Sequence, residues 1–155
     1  MAREAGIDCQ VTMIAHSNWR LCDHAKEPDV RFNIKYGKYD YVILQEYSQP
    51  FEEEAEYERS MRRFCGWIRR AGARPVIYMT WSRRDEPEAQ ETINRACRRM
   101  AEELDCLLAP VGEIWWQRIG EGADLYFTDG QHPSKMGTAF VAEQLWRVIA
   151  DEVSA

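Results

Sequence analysis

The chain has 155 residues, 45% of them hydrophobic, and a formal net charge of −6, which suits one globular domain over 1–155 that can bury its own core. An acidic balance disfavours a nucleic-acid partner, whose phosphates need a basic face, and no run approaches the roughly 20 apolar residues of a membrane span. The first residues, MAREAGIDCQ, lack the basic-then-apolar order of a signal peptide. With five cysteines and no C-x-x-C spacing, buried free thiols in a reducing, cytoplasmic compartment are expected.

In chain order, CQVTMIA (9–15) reads as a first strand, rich in β-branched and apolar residues. HSNWRLCDHAKEP (16–28) changes character and reads as a loop with at most one helical turn. YDYVILQ (39–45) is nearly continuous in apolar side chains, the pattern of a central strand covered on both faces. A helix over about 52–70 follows, with Met61, Phe64, Cys65 and Ile68 on one stripe and Gly72 as its stop. RPVIYMTW (74–81) is the third strand. DEPE (85–88) has capping-box spacing, with Asp85 as cap and Glu88 three residues on, so a helix is expected from there to about 104. CLLAP (106–110) is a short fourth strand, 111–119 a helix or irregular turn, and 123–127 a brief extended segment. A last helix opens at Pro133 or Ser134 and runs to about 151. Alternating apolar strands and helices imply a parallel sheet with helices on both faces, whose chemistry gathers beyond the carboxyl ends of the strands.

The polar clusters lie at those ends. Asp129 and His132 stand three apart in FTDGQHPSKMGTAF (127–140). A carboxylate on one imidazole nitrogen fixes the tautomer and leaves the other nitrogen to accept a hydroxyl proton. Gly130 eases the fold-back this needs, and Pro133 holds His132 extended at a helix entrance. The same residues also fit an Asx turn leading into a capped helix, and spacing alone does not choose between the two. A metal centre from His16, Asp23, His24 and Asp129 lacks any ligand-spacing pattern; neither a metal nor a cofactor is expected. Trp19, Trp81, Trp115 and Trp116 serve either a pocket or the packing, with packing favoured for the last two.

YDYVILQEYSQP together with DGQHPSKMGTAFVAEQL resembles the SGNH or GDSL-type hydrolases, and more narrowly a bacterial branch whose middle block reads Leu-Gln-Glu-x-Ser; PVIYMTW and APVGEIWW also fit. The resemblance spans about 8–150. It implies a flavodoxin-like α/β sandwich of three layers with a mostly parallel sheet. It also implies a serine esterase acting on acetyl or acyl groups of carbohydrates or lipids. The late block of that family carries the catalytic aspartate and histidine, which map onto Asp129 and His132. The middle block offers a side-chain amide to the oxyanion; its match is Gln45, with Glu46 and Ser48 shaping the same loop. An earlier block supplies a backbone N–H, commonly from glycine. Here SNWRLCDH (17–24) places Ser17 and Asn18 at those positions, and Asn18 is the better donor because asparagine tolerates the left-handed region.

The family's nucleophilic serine, in a Gly-Asn/Asp-Ser block after a first strand, has no counterpart in this chain. Ser60 and Ser154 read as solvated helix positions and Ser134 as a helix cap. Ser17 and Ser48 lie at strand ends near the expected site, and the nucleophile stays unassigned. In the family the missing strand lies between those matching 9–15 and 39–45, so the domain reads as truncated at its amino end. Its loss bares two rows of backbone groups, each costing about 1–3 kcal/mol if buried unpaired. Either the sheet closes the gap or a second copy pairs with the open edges. Three functional readings follow: an ester hydrolase, whose activity without the family's serine the sequence leaves open; a non-catalytic remnant binding carbohydrate or a partner; or a purely structural, oligomeric protein. All rest on His132, Asp129 and Gln45 lining one cleft.

Overall fold

A computed structural model describes residues 1–47 and 54–153. Its elements run α1 (Leu21–His24), α2 (Pro28–Tyr36), β1 (Tyr41–Gln45), α3 (Glu54–Arg70), β2 (Arg74–Tyr78), α4 (Ala89–Glu103), β3 (Leu107–Ala109), α5 (Val111–Gly120) and α6 (Lys135–Val153). Among the described residues the strands form one parallel sheet in the order β1-β2-β3, with Gln45 opposite Tyr78 and Tyr78 opposite Ala109. Helices flank it in a three-layer α/β arrangement. Adjacent residues of a strand point to opposite faces. Accordingly Ile77 joins a core built by α1, α2, α3 and α4, while Val76 joins a second core with Trp115, Leu125, Tyr126 and the inner side of α6.

α3 shows why these segments are helices. Tyr57, Met61, Phe64, Cys65 and Ile68 repeat at helical spacing and are all buried, each large apolar side chain contributing about 1.5–3 kcal/mol on burial. Acidic residues in its first turn and Arg69 and Arg70 in its last suit the helix dipole. The chain leaves α3 through Gly72 at φ 84°, with the Ala73 N–H bonded back to the Ile68 carbonyl at 3.1 Å, a Schellman ending. α4 ends the same way without glycine: Asp105 takes φ 47° and the Cys106 N–H reaches the Ala101 carbonyl at 2.9 Å.

Several expectations are corrected. Residues 9–15 form no strand; Val11 and Met13 are each 84% exposed. β-propensity expresses itself only against a neighbouring strand and a covering layer, and this segment has neither. Among the described residues β1 is therefore an edge, not a central strand, and its Ile43 is 41% exposed; the central strand is β2, buried from Pro75 to Ile77. α2 was not anticipated in what reads as a connecting stretch. Pro28 opens it and Val30 and Ile34, four apart, are its buried contacts. α4 begins at Ala89 and not at 85–88; Asp85 caps nothing and pairs with Arg83 at 3.0 Å. Ser60 is buried in α3, not solvated, because it lies on the same helical face as Tyr57 and Phe64. Of the five free cysteines only Cys65 and Cys97 are buried; Cys9 is exposed and Cys22 and Cys106 are half-buried.

Candidate active site

The loop between Leu125 and α6 is pinned at both ends by backbone bonds. Phe127 N–H donates to the His132 carbonyl at 2.7 Å and Ser134 N–H to the Leu125 carbonyl at 2.7 Å, around an antiparallel bridge of Tyr126 with Pro133. Ser134 caps α6: its hydroxyl oxygen accepts from the Gly137 N–H at 3.1 Å. Gly130 turns the loop at φ 67°, a region that glycine enters without strain.

Inside this loop the two readings of Asp129 are both realised. One carboxylate oxygen, Oδ1, accepts the Gln131 and His132 N–H groups at 2.9 Å each, the Asx-turn arrangement. The other, Oδ2, lies 2.7 Å from His132 Nδ1. The His132 contact is the main cause that holds the Asp129 carboxyl down at about 2, the two backbone N–H groups adding to it. With Nδ1 turned to a carboxylate, Nε2 is the nitrogen directed elsewhere, and the imidazole side chain is 70% exposed, not sealed among apolar groups. The arrangement orients an imidazole to exchange a proton through Nε2.

The loop sits over the carboxyl end of β2. Trp81 Nε1–H donates to the Gln131 carbonyl at 3.0 Å, and Arg84 N–H donates to the Gly130 carbonyl at 2.9 Å. The Tyr126 hydroxyl reaches back to the Ser82 carbonyl at 2.7 Å. Of the two uses open to Trp81, pocket or packing, the structure shows packing: it stacks on the wholly buried Trp115 at 3.9 Å between ring centres while its polar edge holds the loop. The available signal was a tryptophan placed just past a strand end, where an N–H needs a partner.

At the end of the neighbouring β1, Gln45 is exposed and Glu46 is buried. The Glu46 carboxylate accepts the Leu21 N–H at 3.2 and 3.3 Å and its neighbour Tyr47 N–H at 2.7 Å. It thus fastens the start of α1 to the end of β1. Burial pushes its carboxyl up to about 7, against the opposite pull of those N–H groups. Just ahead of the fastened Leu21 lie Ser17, exposed, and Asn18 at φ 63°, a left-handed backbone on a residue that is not glycine. His16, Trp19 and His24 pack ring on ring beside it, His16 stacked on Trp19 at 4.1 Å and His24 edge-on at 5.2 Å, so those histidines meet a tryptophan and not the Asp129 carboxylate.

The structure therefore joins Asp129 to His132, and joins Leu21 at the start of α1 to the end of β1 through Glu46. No hydrogen bond links His132 to Gln45, Asn18 or Ser17 among the described residues. Ser48 lies outside them. Ser82 is buried and its hydroxyl accepts the Trp116 indole N–H at 3.1 Å.

No protein-family model matches the chain, and no curated protein does. Solved structures do. A protein of Slackia heliotrinireducens described as a candidate SGNH hydrolase superposes with a TM-score of 0.75 at 27% identity, over 85% of this chain and 80% of that one. A carbohydrate esterase family 3 protein from Talaromyces cellulolyticus gives 0.72 at 17% identity, over 90% and 70%. TesA gives 0.73 at 15% identity, over 96% and 82%. The last two establish a shared α/β fold.

Proposed function

We propose that this chain carries the acid–base half of an SGNH-type ester hydrolase site, for an acetyl or acyl ester of a carbohydrate or lipid. The observation that carries it is the Asp129–His132 contact at 2.7 Å, with the same carboxylate locked by two N–H groups. His132 Nε2 takes the proton of an attacking hydroxyl as that oxygen bonds to the ester carbonyl carbon. The proton then passes to the departing alkoxide as the ester C–O bond breaks, and a water repeats the cycle on the acyl intermediate. Asp129 holds the tautomer and offsets the imidazolium charge. The Gln45 amide and the Asn18 N–H receive the oxyanion; the left-handed φ at Asn18 supports that role. The SGNH likeness at 27% identity, and the fold shared with a carbohydrate esterase, support the reaction class.

The sheet is read as a flavodoxin-like one with room for a further strand beside β1, a reading supported by the bare outer side of Ile43 and the exposed segment 9–15. A second copy pairing along that edge is part of the proposal. One observation favours a non-catalytic, carbohydrate-binding relative of the same fold instead: no serine hydroxyl contacts His132 among the described residues.

Hydrolysis of p-nitrophenyl acetate separates the two. His132→Ala is expected to lower the rate by about 10²-fold or more, and Asp129→Asn to lower it while ¹⁵N NMR shows loss of the Nδ1–H tautomer. A rate unchanged by both substitutions overturns the proposal. No turnover in the parent chain, with a carbohydrate-dependent rise in melting temperature, establishes the binding reading.

A further inference from the structure

Outside this site two thiols meet. Cys65, on the buried stripe of α3, is 1% exposed. Cys106 follows the left-handed Asp105 at the end of α4, directly before β3, and is half-buried. Their sulfurs are 3.4 Å apart, across a sequence separation of 41 residues. The position is held from both sides. The Schellman turn of α4 fixes the Cys106 backbone through its bond to Ala101. Arg69, one helical turn after Cys65, donates to the Leu104 carbonyl and to the Asp105 carbonyl at 3.0 Å, with its guanidinium nitrogen 3.9 Å from the Cys106 sulfur.

The two thiols are unequal. The Cys65 contact and the Arg69 charge hold the Cys106 thiol below its ordinary range, while the bond to Cys106 and burial push Cys65 up. Cys106 is thus the more readily ionised of the two thiols, and Cys65 the one that keeps its proton longer. Among the described residues no other cysteine pair is in contact: Cys97 faces the Tyr57 hydroxyl at 3.5 Å, and burial pushes both Cys97 and Cys22 up to about 11.

We propose that Cys65 and Cys106 form a peroxide-oxidisable dithiol, closing to a disulfide that ties α3 to the head of β3. The Cys106 thiolate sulfur attacks one oxygen of hydrogen peroxide and the O–O bond breaks, giving a sulfenic acid and hydroxide, which takes up the proton the Cys106 thiol released on ionising. The Cys65 sulfur then displaces the sulfenic oxygen as water, its thiol proton leaving with it. In sum two thiols lose two electrons and two protons, and one peroxide becomes two waters. Reaching bonding distance requires the sulfurs to close to about 2.05 Å, a short approach for a half-buried residue on a turn. Cys106 is the reachable partner and Cys65 the resolving one.

The test is a peptide map of the full chain after graded hydrogen peroxide and alkylation. Trypsin places Cys65 in peptide 64–69 and Cys106 in peptide 100–118. The expected product is these two peptides joined, with a loss of about 2 Da against their sum, rising with peroxide and abolished by dithiothreitol. The melting temperature of the oxidised chain should rise by about 5 °C or more, because the link restricts the unfolded state. In Cys106→Ser the joined peptide and the rise both vanish. Recovery of both cysteines alkylated, or of Cys106 carried to sulfinic acid with Cys65 unlinked, overturns the proposal.

Discussion

At the scale of single residues, Glu46 and Asp129 are carboxylates displaced in opposite directions, and their pH signatures have opposite signs. The Glu46 carboxyl stands at about 7 in the fold against an ordinary value of 4.5. The native state therefore holds its proton more tightly than the unfolded chain. The resulting stabilisation is complete below about pH 4.5, declines as pH rises through 7, and is lost above it. A displacement of this size corresponds to about 3 kcal/mol. Glu46→Gln keeps an oxygen for the Leu21 and Tyr47 N–H groups but cannot ionise. Urea unfolding at pH 5 and pH 8 is expected to show the parent chain less stable at pH 8 and the variant nearly equal at both; a parent chain with equal stability at the two pH values would contradict the burial argument. Asp129, held at about 2, behaves in reverse: its contribution is present above the ordinary carboxylate range and disappears as pH falls through 2.

At the scale of elements, Gly137 tests how tightly α6 is set against the site loop. It is buried in the first turn of α6, and a Cβ there would run into the Leu125 carbonyl and the Trp115 ring. On an open helix surface glycine to alanine stabilises by up to about 1 kcal/mol. Here Gly137→Ala is expected to cost about 1–3 kcal/mol and to lower the melting temperature by about 2–4 °C for each; a rise in melting temperature would show that the helix is free to move away. The elements legible in the sequence were those whose pattern is local. The stripe of α3, the stripe Ile93, Ala96, Cys97 and Met100 of α4, and the Ser134 cap of α6 all stand where periodicity or cap chemistry puts them. What was not legible depends on partners far away in sequence. CQVTMIA has strand composition but no strand beside it, DEPE has cap spacing but pairs Asp85 with Arg83, and α2 shows only two buried positions, too few for a periodic signal. In the site, the Asp129–His132 contact spans three residues and could be anticipated. The Trp81 bond to Gln131 spans 50 and the Glu46 bond to Leu21 spans 25, and neither leaves a mark on a linear pattern.

At the scale of the whole molecule, the sheet is asymmetric. β3 is followed directly by α5 and packs against α6, whereas β1 shows Ile43 to solvent and, among the described residues, pairs with β2 on one side only. An open strand with an exposed apolar residue and no lysine of its own is a template for pairing, and the symmetric solution is β1 against β1 of a second copy about a twofold axis. Sedimentation over a roughly hundredfold concentration range is expected to show a monomer–dimer equilibrium, shifted to monomer by Ile43→Lys; a parent chain that stays monomeric throughout would refute pairing through this edge. The tryptophans carry a separate consequence. Trp81 and Trp115 lie with their planes 3° apart, close enough for their electronic transitions to couple, and the indole N–H of the first is bonded to the loop that bears His132. The protein thus contains its own optical reporter, and any ligand that shifts that loop will alter its circular dichroism and emission without a label being attached.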